Sequence, residues 1–175
     1  MKNELQEILN KLDDIKYGFV SIDKNIYQDD SKDWDKNFSK LYRLQSPEEL
    51  IKNKYGVCWD QVELERYYLT QNNIEAKSYF IIAYAKMQEP THTFIVVKSD
   101  KYYWLEHSWE LYRGIHEYET LKELLFDVKL KFEKNIEEQN IKNYELAIYE
   151  YSIPKNNLNC IEFMKHCEKG LKINI

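Results

Sequence analysis

The sequence predicts an α+β fold, and three observations carry that reading. β-prone segments crowd the middle of the chain, from Lys77 to His107. Segments with apolar residues at helical spacing flank them on both sides. Between the two, a glycine-broken loop, Lys54-Tyr55-Gly56-Val57, turns into a helix that opens on a cysteine, Cys58. No repeat, low-complexity stretch or linker divides the 175 residues, so one domain over 1–175 is expected.

The elements follow in order. Leu5, Ile8, Leu9, Leu12 and Ile15 recur at helical spacing, so the chain opens with an amphipathic helix. Phe19 to Ile22 suits a short strand. Asp29 to Asn37 is charged and polar and is expected to be a loop, with Trp34 its one large apolar residue. Ser46-Pro47-Glu48-Glu49 combines a serine cap, a proline at the first helical position and a glutamate three residues after the cap, which together start a helix. That helix runs to about Lys54 and stops before Gly56. The Cys58 helix continues to about Gln71, with Asn72-Asn73 as terminator. Its inward face, Val62, Glu65 or Arg66, and Leu69, is not cleanly apolar.

Three strands come next: Lys77 to Lys86, Thr91 to Lys98, and Lys101 to His107. Two registers compete for the second hairpin. A three-residue loop, Lys98 to Asp100, pairs Val97 with Lys101 and sets Glu106 opposite His92 and Phe94 opposite Trp104. A two-residue loop, Ser99-Asp100, sets His107 opposite His92 instead. The first is preferred because it makes an aromatic cross-strand pair. After Trp109 a loop leads to a long helix, Thr120 to about Gln139, whose buried face is Leu121, Leu124, Leu125, Val128 and Phe132. Tyr144 to Ile153 is a further strand, ended by Pro154, and Leu158 to Lys169 a last helix.

Composition excludes several classes. A formal net charge of −5, with no long Lys/Arg cluster, argues against a nucleic-acid partner. The most apolar run, Tyr79 to Ala85, is too short to span a bilayer, so no membrane partner is expected. Three cysteines, Cys58, Cys160 and Cys167, are too few for a disulfide framework. The stretch Met1 to Glu7 has no apolar signal core. A soluble cytoplasmic protein is the expectation. Cys160, His166 and Cys167 lack zinc-finger spacing, so neither a metal nor a cofactor is expected. Cys160 and Cys167 suit one core-facing helix side, and His116 and His166 the surface. Trp59 is expected to pack beneath the cysteine helix and Trp104 in the sheet.

The candidate chemistry centres on Cys58, with His92 on one strand and Glu106 at the end of the next. A thiol attacks as thiolate, and a free cysteine has a pKa of about 8.5. The unpaired N–H groups of a helix start favour the anion, and a nearby imidazolium favours it further. The imidazole needs a partner on its other nitrogen, and a carboxylate serves. Each residue type is common in ordinary cores and strands; their convergence is what makes a site. His107 is the alternative third member.

The order Cys58, His92, Glu106 resembles the transglutaminase-like group of papain-like cysteine enzymes. The 14-residue step from His92 to Glu106 matches that group's spacing and favours the first register. The resemblance covers about Ser46 to Trp109. Gly56-Val57-Cys58-Trp59 is also similar to the Gly-x-Cys-Trp of papain, whose histidine lies about 130–150 residues further on; here the compact core fits better. The resemblance implies a papain-like/transglutaminase-like core in which the cysteine helix packs on an antiparallel sheet. It implies a nucleophile, Cys58, a base, His92, and an orienting acid, Glu106, where the group usually has aspartate. The backbone N–H of Cys58 is the first oxyanion donor. The second is Gln45, Trp34 or Asn53. A cysteine hydrolase, peptidase or acyltransferase acting on an amide of a peptide or protein is the first functional reading, for a monomer or weak dimer. The alternative is an inactive relative that binds a peptide or protein. Arylamine acetylation is weaker, since that family's Arg-Gly-Gly before the cysteine is absent. Cell-wall peptide hydrolases of the wider fold use a second histidine, which keeps His107 in play, although their Asp-Cys-Ser is absent.

Overall fold

In the structure, a computed structural model, residues 1–28, 34–86 and 88–174 are described. Helix α1 (Lys2–Asn10) ends earlier than its apolar spacing suggests. Leu12 and Ile15 are as buried as Leu5, but they enter the core from successive tight turns, Leu12 N–H to Leu9 O and Ile15 N–H to Leu12 O. Helical spacing shows which residues share a face; it does not fix where the helix stops. Short strands β1 (Lys16–Tyr17), β2 (Phe19–Val20) and β3 (Ile26–Tyr27) follow.

The expected loop from Asp29 to Asn37 falls partly outside the described residues. From Trp34 onward it is a helix, α2 (Trp34–Leu41). Trp34 and Phe38, four apart, stack on each other at 5.7 Å and close on Phe19 at 5.2 and 5.4 Å. Two aromatic residues among polar neighbours form too narrow a stripe to stand out in the sequence.

Helix α3 (Pro47–Asn53) starts with the expected reciprocal cap: Ser46 Oγ accepts the Glu49 N–H at 3.2 Å, and the Glu49 carboxylate accepts the Ser46 N–H at 2.9 Å. It ends on Lys54 in the left-handed region, φ 63°. Strand β4 (Tyr55–Gly56) pairs in parallel with β1, and helix α4 (Cys58–Gln71) follows with the expected bounds.

The remaining elements are β5 (Ala76–Tyr84), β6 (Thr91–Lys98), β7 (Tyr102–Glu106), β8 (Gly114–Tyr118), α5 (Leu121–Glu138), β9 (Glu145–Tyr151), α6 (Cys160–Glu168) and β10 (Leu171–Ile173). The last six strands make one antiparallel sheet in the order β10-β9-β5-β6-β7-β8. Its edge strands β8 and β10 are not expected from sequence. Both are short and largely half-buried or exposed, so neither alternates strongly between apolar and polar. Thr120 caps α5 in another reciprocal box with Glu123. Helix α5 buries Leu124, Leu125, Val128, Phe132 and Ile136 against Phe94, Val96 and Trp104. The opposite face, carrying Ile95, Val97 and Leu105, packs on α1 and α4.

Helix α4 does more than present one face. Cys58 through Glu65 are all buried, because the sheet, α1, α3 and the aromatic cluster around Trp59 enclose its first two turns. Trp59 stacks on Phe163 of α6 at 4.5 Å.

The second hairpin adopts neither register considered above. Lys98 pairs with Tyr102, Val97 with Tyr103, Val96 with Trp104 and Ile95 with Leu105. The loop is Ser99–Lys101, closed by Ser99 N–H to Lys101 O at 2.8 Å and by Tyr103 O–H to Asp100 at 3.0 Å. The expected Phe94–Trp104 contact exists, but diagonally, at 6.3 Å. The register is two residues from the preferred one. Because side chains alternate with period two, such a shift leaves each on its expected face; Glu106 still shares a face with His92, and His107 takes the other.

Phe163 is fully buried between Trp59, Phe80 and Tyr151. Phe163→Ala is expected to cost about 3–5 kcal/mol, against about 0.5 kcal/mol or less for the exposed Leu111→Ala, both read from urea midpoints at constant slope.

Candidate active site

Cys58 stands at the start of α4 because the backbone before it is pinned. Val57 is extended, φ −80° and ψ 175°, and cannot continue a helix backwards. Its N–H donates to Asp60 Oδ2 at 3.0 Å, while Asp60 Oδ1 accepts the Gln45 N–H at 2.9 Å and the Tyr42 O–H at 3.1 Å. Burial drives the Asp60 carboxyl up to about 7, against the downward pull of these three donors. Gly56 is set by close approach: a Cβ there would lie 2.6 Å from Leu50 Cδ1 and 3.0 Å from Asp60 Cβ. The Cys58 N–H falls in the first turn, where helical N–H groups have no intrahelical acceptor.

His92, near the start of β6, is held on every side. Its Nε2 meets Glu106 Oε2 at 2.8 Å, which leaves Nδ1 for another partner, and the Cys58 thiol lies near enough to help raise the ring's pKa. Trp109 packs edge-on at 5.0 Å, and Phe94 lies nearly parallel at 6.5 Å. Glu106 uses its second oxygen too: Oε1 accepts the Trp109 N–H at 2.8 Å and the Ser108 O–H at 3.0 Å. Burial pulls the imidazole's pKa down, but the Glu106 carboxylate and the Cys58 thiol outweigh it and raise it to about 10. Burial pushes Glu106 up, yet His92, Trp109 and Ser108 hold it below the usual carboxylate range. The pair is therefore imidazolium and carboxylate at neutral pH.

The structure thus gathers Cys58, His92 and Glu106. His107 does not join them. Its ring points to the α4 face, where Nδ1 meets Gln61 Oε1 at 2.6 Å. Gln45 and Asn53 are occupied elsewhere: Gln45 Nε2 donates to Tyr55 O and Asn53 Nδ2 to Gln45 Oε1, both at 2.8 Å. Each amide thus has one of its two N–H groups already engaged. Trp34 lines the same cleft as His92. His116 and His166 are half-buried rather than surface residues: His116 stacks on Trp104 at 4.5 Å, and each bonds a backbone carbonyl. Cys167 is buried and Cys160 partly so; burial raises both thiols, Cys160 to about 11.

Sequence reasoning missed Asp60, Ser108 and Trp109. Asp60 was legible as the acidic third residue of the helix; the other two act through geometry that follows the end of β7. Glu65 was counted only as a blemish on an apolar face. It is 1% exposed, its Oε2 has no partner among the described residues, and burial, then the Glu106 charge, raise it well above the usual range.

His92 opens on a cleft of about 940 Å³ whose walls include Tyr17, Trp34, Trp109, Pro90, Phe132 and Arg113. Among the described residues no helix is long and apolar enough to cross a membrane, and no cluster of three or more His, Cys, Asp or Glu is arranged to hold a metal ion.

A cysteine helix packed on an antiparallel sheet, with a histidine and an acid on neighbouring strands, is the arrangement the resemblance implies. A family model described as a transglutaminase-like domain matches residues 4–137. The chain belongs to the transglutaminase-like family. The match runs well past Ser46 to Trp109 on both sides and takes in most of α1 and nearly all of α5. A comparison with curated proteins gives no match.

The ion pair predicts a pH signature. The raised His92 contributes stability that is full below its ordinary value of about 6.5 and is lost as pH rises through about 10. The lowered Glu106 contributes above its ordinary value and loses that contribution as pH falls. Glu106→Gln is thus expected to cost about 3–5 kcal/mol near pH 6, and distinctly less at pH 10, by urea unfolding at the two pH values.

Proposed function

We propose that this transglutaminase-like chain is a cysteine hydrolase or acyltransferase that acts on an amide of a peptide or protein. The observation that carries the proposal is His92, shared between the Cys58 thiol and the Glu106 carboxylate at the wall of a cleft. In this reading Cys58 attacks the amide carbonyl as thiolate. A C–S bond forms and the carbonyl oxygen takes the negative charge, facing the Cys58 N–H. His92 then gives its proton to the departing nitrogen, the C–N bond breaks, and a thioester remains. Water, or an amine, adds to the thioester after His92 takes its proton, and the thiolate is restored. Glu106 holds the ring in position and stabilises its charged form. Hydrolysis is favoured over cross-linking, because nothing in the sequence marks an amine-acceptor tunnel. A free thiol nucleophile suits a reducing compartment, and we place the reaction in the cytoplasm.

The cleft supports the substrate class. Its volume lies near the upper end of the roughly 300–1,000 Å³ of ligand sites. Its mixed aromatic and charged walls suit a peptide segment better than a small apolar molecule. One observation favours the second reading, a module that binds a peptide without turning it over: Cys58 is only 5% exposed.

Iodoacetamide labelling followed by peptide mapping separates the two readings. The enzyme reading expects Cys58 to label ahead of Cys160 and Cys167 at pH 6, and His92→Ala to slow that labelling at least about tenfold. Labelling of Cys58 that is slow at pH 6 and indifferent to His92→Ala would leave the binding module.

A further inference from the structure

Two peptide planes lead into Cys58, and both end on one side chain and its backbone. The Gly56 carbonyl accepts the Gln61 Nε2–H at 2.7 Å, and the Val57 carbonyl accepts the Gln61 backbone N–H at 3.0 Å. The second plane is the one that contains the Cys58 N–H, the oxyanion donor of the reading above. The second bond is the first backbone bond of α4, which any residue but proline would make at 61; the Gln61 side chain adds its hold on the Gly56 plane, one peptide before, and so steadies the approach to Cys58.

Gln61 is itself oriented from the sheet. A carbonyl only accepts, so the Gly56 bond fixes which end of the amide is NH₂. The amide oxygen must then face His107, at 2.6 Å, and His107 must carry its proton on Nδ1. Both side chains are 1% exposed. Burial and the Arg113 charge hold His107 near 4, against Asp13 and Glu106, so the ring is neutral and keeps that single tautomer at neutral pH. Arg113 in turn fixes the backbone here, its Nε–H donating to the His107 carbonyl at 3.0 Å.

We propose that His107 and Gln61 are positioning residues for Cys58: His107 orients the Gln61 amide, and Gln61 holds the backbone that aims the thiol and its N–H. The inference rests on the reading of Cys58 and His92 given under the proposed function. The last residue of β7 and the one after it thus divide the work, Glu106 setting the histidine and His107 setting the cysteine.

The test uses the full chain and iodoacetamide, with Cys58 alkylation rates taken from pH 5.5 to 9 and folding checked by near-ultraviolet circular dichroism. A misplacement of about 1 Å can cost about 100-fold in such chemistry. His107→Leu and Gln61→Leu are expected to slow alkylation by roughly 10- to 100-fold at pH 6. His107→Asn, whose amide nitrogen falls near the place of Nδ1, is expected to stay close to wild type. A wild-type profile in folded His107→Leu overturns the inference, and so does His107→Asn as slow as His107→Leu. If the leucine variants do not fold, His107→Asn is compared with His107→Gln, which sets its donor too far out; equal rates overturn the proposal and a slower glutamine variant supports it. His92→Ala is the separating control. If it changes the profile while the His107 variants do not, only this inference fails; if it changes nothing, the thiol–imidazole reading fails first.

Discussion

The Asp60 carboxylate is the constraint on which the rest of the site depends. It takes one donor from the residue before the cysteine, one from the backbone of Gln45 and one from the Tyr42 hydroxyl. Three separate stretches of chain are thereby brought to one point: the start of α4, the approach to α3, and the end of the aromatic cluster that includes Phe38 and Trp59. A buried carboxyl with fewer partners would be a large cost; with three it becomes a fixed junction. The helix start that carries Cys58 is rigid for this reason, and not because of any property of the cysteine.

Buried acids recur along the same helix. Glu63 accepts from Tyr151 at 3.0 Å and from Arg66 at 3.2 Å, and burial raises it to about 7 despite the Arg66 charge. Glu65 lies between that pair and the Glu106–His92 pair, with one oxygen unpartnered among the described residues. Helix α4 therefore brings three carboxyls into an interior that also holds an imidazolium. Raising Glu63 and Glu65 lets them take protons and limits the negative charge around His92, while Glu106, with its full set of donors, keeps its charge.

The sequence made the candidate site legible and the joints illegible. Capping patterns located α3, α4 and α5 almost to the residue, because Ser46, Cys58 after Gly56, and Thr120 each combine several start signals in a few positions. The central strands were visible because Ile81, Ile82, Ile95, Val96 and Val97 are β-branched and dense. The helix at Trp34 and the edge strands β8 and β10 were not, since each is stabilised by packing against elements far away in the chain and carries a weak local pattern. The hairpin register missed by two residues. The aromatic contact used to choose it is satisfied diagonally as well as directly, so it does not discriminate between registers of the same parity. Of the candidate oxyanion donors, Gln45 and Asn53 look alike in sequence to any free amide; only the positions of Tyr55 O and of each other show them already engaged.

The Ser99–Lys101 turn works as a parity check on the site. Glu106 ends β7 and His107 follows it, facing the other way, so that one meets His92 on β6 and the other Gln61 on α4. A slide of the pairing by two residues leaves both side chains on their own faces. A slide of one would exchange them: His107 would turn towards His92 and Glu106 towards Gln61, an acceptor facing an acceptor. The pairing is therefore held to one parity, and the Tyr103 O–H to Asp100 bond that closes the turn helps to hold it there.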